Sequence, residues 1–131
     1  RQPALVGAVA AGIQAFAQEL GVDAEGVLGP VQWWPDHSQP QIGPTGREFA
    51  ASYRASTGSE PSYVAAQVAA TGYLAQAAHR QRMTVDQIHR WTTSTMLGGF
   101  ALDTAWRQIG HDVATVRWRN GAMVREKPEP G

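Results

Sequence analysis

At 131 residues, with 43% hydrophobic and 17% charged side chains, the chain has the size and balance of one globular body. Eleven basic side chains offset eleven acidic ones, so net charge gives no general attraction to nucleic acid or to an anionic membrane surface. Cysteine is absent, which excludes disulfides, thiol nucleophiles and cysteine-ligated zinc. No run approaches the roughly 18 consecutive apolar residues of a membrane span.

The opening Arg1-Gln2-Pro3 carries no initiator methionine and reads as a cut that has removed an upstream region. Residues 4 to 20 place Leu5, Val6, Val9, Ile13, Phe16 and Leu20 on one helical face among alanines, with Gly21 as a stop, and predict the first helix. Val27, Leu28 and Val31 predict a short strand buried on both faces, while Gly29-Pro30 and Pro35 interrupt its ladder and drive the backbone outward. That strand runs out onto Trp33 and Trp34. Neighbours on extended backbone point to opposite faces, so no more than one of the pair can be fully core. The other is then free to meet a ligand or partner, although packing accounts for both equally well.

Between Pro35 and Pro44 lies a polar loop carrying Asp36, His37, Ser38 and Gln39. Thr45 and Glu48 form a capping box that opens a second helix, with Phe49 and Tyr53 on its inner face and Gly58 at its end. Ser59-Glu60-Pro61 opens a third, with a body from Tyr63 to Gln81. Ala65, Ala66, Ala69, Ala70 and Gly72 would let neighbouring backbones approach, which predicts the most buried helix of the chain. Thr84 and Gln87 make a second capping box for a short helix through Ile88 and Trp91 to the polar run Thr92 to Thr95, and Gly98-Gly99 breaks the pattern. Phe100 to Asp103 reads as a brief extended piece. Residues 112 to 126 read as an antiparallel ribbon around Asn120-Gly121, a strong two-residue hairpin signal. Helix, strand, three helices, strand and hairpin make an α/β chain without internal repeat.

Little of this suits catalysis. His37, His79, His89 and His111 are scattered without metal-ligand spacing. Asp36, His37 and Ser38 hold the letters of a triad, but a triad converges from separate segments and not from consecutive positions; a small enzyme using Asp36 and His37 is the one catalytic alternative. Gly43-Pro-Thr-Gly46 lacks the lysine of a phosphate loop, and no cofactor motif is present. Arg117, Arg119, Arg125 and Lys127 around Trp118 superficially resemble a single-strand nucleic-acid surface in composition, but read better as a solvated outer face alternating with a buried tryptophan. Tyr63, in the first turn of its helix, sits where free N–H groups and partial positive charge favour a carboxylate, and its ring either covers a ligand or staples the helix to the core.

Three stretches, AEGVLGPVQWWPD, IGPTGREFAASYRASTGSEPSYVAAQVAATGYLAQAAHR and TTSTMLGGFALDTAWRQIGHDVATVRWRNGAMVREKP, resemble the C-terminal part of the periplasmic branched-chain amino acid binding proteins, the type I solute-binding components of ABC transporters. The likeness runs from about Gly21 to Pro128 and follows an order: a G-V-x-G strand, a Gly-x-x-Pro linker between helices, a T-x-x-G-x-F-x-x-D segment, and a hairpin with W-x-x-G. It implies a type I periplasmic binding fold, helices packed on a parallel sheet with a C-terminal β-hairpin. Residues 1–131 would then be a single C-terminal segment of a two-lobed protein, its upstream region missing. The strand through Val27 and the helices after it would belong to one lobe and the hairpin to the other.

Carried over position by position, the resemblance makes Tyr63 a ligand-facing residue and Gln32, Trp33 and Trp34 further contacts. It implies no enzyme activity and no cofactor. The expected ligand is an amino acid or similar small carboxylate, and the tryptophan pair favours an aromatic one. Expected partners are a membrane permease and either the missing upstream lobe or a second copy, with no nucleic acid. The expected location is periplasmic or extracellular, lipoprotein anchoring included. The alternative within the same fold is a ligand-sensing regulator.

Overall fold

A computed structural model describes residues 5–36, 39–111 and 113–126. The chain is a mixed α/β protein in two compact units, Arg1–Gln32 with Val113–Gly131, and Trp33–Asp112.

The first unit is built on a three-stranded antiparallel sheet in the order β1 (Leu28–Val31), β4 (Ala114–Arg119), β5 (Ala122–Arg125). Strand and hairpin therefore share one sheet, which corrects their expected assignment to different lobes: Leu28 pairs with Arg117 and Val31 with Ala114. Parallel pairing enters among the described residues as the bridge Gly7–Leu28. The expected helix over 4–20 is accordingly shorter. Val6 O accepts from Leu28 N at 2.9 Å and Ala8 N donates to Leu28 O at 2.8 Å, so this segment spends its backbone groups on β1. A 3-10 turn at Val9–Gly12 follows, Ile13 is extended, and α1 covers Gln14–Leu20; Ala4 lies outside the described residues.

Gly29-Pro30 lies within β1 instead of interrupting it. Leu28 turns its N–H and C=O toward residues 6–8, and Pro30, two residues on, faces the same way, so its missing N–H costs the β1–β4 ladder nothing. The backbones crowd here: a Cβ on Gly12 would stand 2.0 Å from Pro30 O. Trp118 is 1% exposed, clusters with Ala11, Ala24 and Val27, and donates its indole N–H to Ala11 O at 2.8 Å. The hairpin closes at Asn120 (φ 53°) and Gly121 (φ 73°), the left-handed pair that a two-residue turn requires, and Glu25 Oε2 accepts from Asn120 N at 2.7 Å. Arg117 and Arg119 both bond the Glu126 carboxylate, which keeps that acid below its ordinary range; Lys127 lies outside the described residues.

In the second unit α2 (Gly46–Thr57) begins with the expected capping box: Thr45 Oγ1 accepts from Glu48 N at 3.2 Å, and Glu48 Oε2 accepts from Thr45 N at 2.8 Å. Gly58 ends it in the left-handed region. α3 (Tyr63–Arg80) takes Ser62 as its cap, placing Pro61 just outside the helix. Among the described residues α3 is the most buried of the α-helices, as expected: Ala66 and Ala70 are buried and Tyr63, Ala69, Tyr73 and Leu74 are among its half-buried residues, while Val64 and Val68 are 50% and 70% exposed.

α4 (Val85–His89) carries the second capping box, Thr84 with Gln87. The polar run after it forms half of a hairpin, β2 (Thr93–Thr95) with β3 (Gly98–Phe100), and Gly98-Gly99, expected to break the pattern, lies within β3. Thr93 and Thr95 are buried, and Thr93 Oγ1 donates to Gln41 Oε1 at 3.1 Å. Beyond β3 the Asp103 carboxylate accepts from Ala105 N, Arg107 N and Arg107 Nε, and these bonds, that from the Arg107 backbone first, hold it below its ordinary range. The His89 ring stacks on Trp106 at 4.3 Å and its Nε2 donates to Asp103 O at 2.8 Å.

Two glycines give opposite tests. Gly12→Ala should destabilise the protein by more than about 2 kcal/mol, since the methyl meets backbone that cannot yield, whereas Gly72→Ala, with nothing near its Cβ in α3, should stabilise by about 0.5–1 kcal/mol. Urea unfolding measures both. The Glu48 carboxyl lies below its ordinary 4.5 because the Thr45 backbone N–H, then the Thr45 hydroxyl, hydrogen-bond it. A depressed value means stability present above pH 4.5 and lost as pH falls through the folded value. Glu48→Gln keeps the box without titrating, so the fall of the thermal midpoint with acid should be shallower in that variant.

Candidate functional site

The second unit gathers most of the aromatic residues singled out in the sequence. Trp33 is 7% exposed in a cluster with Ala50 of α2, Ala66 and Ala70 of α3, and Met96 of the β2–β3 turn. It meets Phe49 edge to face, centroids 5.8 Å apart at 83°, and Phe49 in turn meets Tyr53 at 5.8 Å. Tyr63, the first residue of α3, packs against the same cluster and is half-buried. The small side chains of Ala66 and Ala70, one turn apart on one helical face, make room for these rings.

Trp34 is half-buried and stands outside that cluster, so one tryptophan of the pair is core and its neighbour retains an accessible surface. Its segment is held in place. A Cβ on Gly46 would stand 2.6 Å from Pro35 O, so only glycine lets α2 begin this close, and Asp36 Oδ1 accepts from Arg47 Nε at 2.6 Å. That contact also raises the Arg47 guanidinium further above its ordinary range. Asp36 is thus engaged with a cation, while His37 and Ser38 lie outside the described residues. Gln32 is half-buried and belongs to the other unit. The structure therefore brings Trp33 and Tyr63 to one cluster, with Trp34 adjacent to Trp33 in the chain.

Electrostatically the cluster is plain. The Trp33 indole nitrogen is buried without a hydrogen-bond partner among the described residues, leaving one dry donor amid apolar surface. Ser62 Oγ accepts from Ala65 N at 3.2 Å, satisfying one of the free N–H groups at the α3 N-terminus. Among the described residues no group of three His, Asp or Glu side chains stands together.

Sequence reasoning passed over a second place in this unit. Met83, Asp86, Arg90 and Trp91 line a cleft of about 420 Å³ where α3 gives way to α4. The spacing of Asp86 and Arg90, four residues apart on a capped helix, was its available signal.

The sequence matches no family model and none of the curated proteins. The structure does have likenesses. It superposes on a leucine-binding protein from Thermotoga maritima with a TM-score of 0.64 and 19% identity, covering 94% of this chain and 36% of that one. A solute-binding protein of an ABC transporter from R. palustris, solved with benzoate, gives 0.63 and 18%, covering 87% and 32%. A branched-chain amino acid ABC transporter protein from Rhodospirillum rubrum gives 0.55 and 20%, covering 87% and 34%. The chain has the type I periplasmic binding protein fold and spans roughly a third of the length of these solved solute-binding proteins.

Proposed function

We propose that the chain is the C-terminal segment of the solute-binding component of an ABC transporter, which captures an amino acid or similar small carboxylate in a cleft and delivers it to a membrane permease. The agreement of fold with solved ABC-transporter binding proteins carries this reading. Leucine and benzoate, named for two of them, share a carboxylate beside an apolar body. Rigid rings at Trp33, Phe49 and Tyr63 suit such a body, and the positive end of α3 suits the carboxylate. In this reading Tyr63 covers the apolar side of the ligand and Trp33 backs it, with Trp34 and Gln32 as further proposed contacts. The tryptophans favour an aromatic carboxylate over a short aliphatic one.

No bond is made or broken in such capture; ligand contacts shift the population toward a closed form. The role places the protein on the periplasmic or extracellular side, and no helix among the described residues is long and apolar enough to cross a membrane. The exposed valines of α3, and Val9 and Val22 of the other unit, are surface that the remaining two thirds of the fold, or a second copy, would cover.

Tryptophan fluorescence of the complete protein, titrated with aliphatic amino acids, aromatic amino acids and aromatic carboxylates, tests the reading. One class should give a saturable response, and Tyr63→Ala should weaken that binding by about tenfold or more. Silence toward the whole panel would falsify transport of this ligand class.

A further inference from the structure

The tip of the β4–β5 hairpin holds the chain's one asparagine, Asn120, and a glycine follows it. In such a pair the backbone nitrogen of the second residue is the nucleophile that attacks the side-chain amide carbon and closes a five-membered imide, and glycine, lacking Cβ, leaves that nitrogen unshielded. Both residues are exposed, and a Cβ on Gly121 would meet nothing within 4 Å, so water has open access. The folded turn nevertheless sets the reacting atoms apart. Asn120 is left-handed at φ 53°, and ψ of about +47° in that region places its Cβ almost opposite the Gly121 nitrogen across the Cα–C bond. Ring closure needs the two on the same side. The turn is clamped in this unreactive form: Glu25 Oε2 accepts from Asn120 N at 2.7 Å, Arg119 pairs with Ala122, and Trp118 behind them is buried.

We propose that Asn120 is a self-modification site gated by the hairpin, silent while the turn is closed and converting to aspartate or isoaspartate when it opens. On opening, rotation about the Cα–C bond brings the Gly121 nitrogen onto Asn120 Cγ. The N–Cγ bond forms as solvent base takes the Gly121 amide proton, and the Cγ–Nδ2 bond breaks, Nδ2 taking a proton from solvent and leaving as ammonia. Water then opens the imide, at Cγ to give aspartate or at the Asn120 backbone carbonyl carbon to give isoaspartate. Either product sets a new carboxylate near the Glu25 carboxylate that had held the Asn120 N–H, and like charges repel. Isoaspartate also inserts the Asn120 Cβ into the main chain, so a two-residue turn no longer closes in register. The tip is then kept open, and the cleft of about 720 Å³ lined by Glu25, Trp118 and Asn120 gains a negative charge. None of this depends on the transport reading.

Mass spectrometry of the full chain, aged at neutral pH with and without guanidinium chloride and fragmented to locate the change, tests the proposal. The unfolded chain should gain the mass of amide-to-acid conversion at Asn120, and the folded chain should do so at least about tenfold more slowly, because its turn must first open. Glu25→Ala removes the clamp and should speed the folded reaction by about threefold or more while leaving the unfolded rate unchanged. An unchanged near-ultraviolet circular dichroism spectrum shows that this variant keeps Trp118 packed, and the comparison of folded with unfolded chain needs no variant. Equal rates in the two states, absence of conversion in denaturant, or a folded Glu25→Ala rate equal to that of the native chain would overturn the assignment.

Discussion

One buried side chain organises the first unit. The Trp118 indole reaches from β4 across the sheet to the carbonyl of Ala11, giving its own donor and a backbone acceptor of the 3-10 turn a partner at once. Trp118 N bonds Val27 O and Gly26 N bonds Trp118 O on either side, so the ring is fixed by its backbone as well as its nitrogen. Burial of a tryptophan is worth several kcal/mol, and its loss typically costs about 3–5 kcal/mol. Small residues follow from that position: Ala11, Ala24, Gly12 and Gly29 permit the approach of main chain that the ring then seals.

The second unit solves a different packing problem. Its core is assembled from rings held between two helices and a short hairpin, and the alanines of α3 serve as the flat surface beneath them. Polar groups at the edge are bound to backbone or to one another: Ser94 O accepts from Ile42 N, Ser94 Oγ from Gln41 N, and Asp103 closes the loop that presents Trp106. The other side of α3 carries valines facing solvent.

The features legible in the sequence are those decided within a few residues. Thr45 with Glu48 and Thr84 with Gln87 are reciprocal bonds three positions apart, so residue identity alone predicts them. Asn120-Gly121 is equally local, because the turn needs left-handed backbone that these residues tolerate. The misread elements depend on distant partners. Residues 5–8 have a helical apolar pattern, yet they lie along β1 because Leu28 offers them an N–H and a carbonyl. Thr92 to Thr95 read as a polar run closing a short helix, yet two of these threonines are buried in β2, where Gln41 supplies Thr93 with a hydrogen-bond partner and Gly98–Phe100 an opposing strand.

The aromatic site divides along the same line. Composition and spacing determined that a tryptophan pair follows a strand, that a tyrosine opens an alanine-rich helix, and that neither cysteine chemistry nor a large charge imbalance is available. Tertiary structure decided which tryptophan is core, that Phe49 stands edge-on to it, that Tyr63 joins the same cluster, and that β1 pairs with the terminal hairpin. It also decided that Pro30 could remain within β1, since the side of the strand lacking a donor is not the side that meets β4. Caps and turns are satisfied by neighbours in the chain, whereas burial and strand pairing are satisfied by groups tens of residues away, whose arrival only the folded structure records.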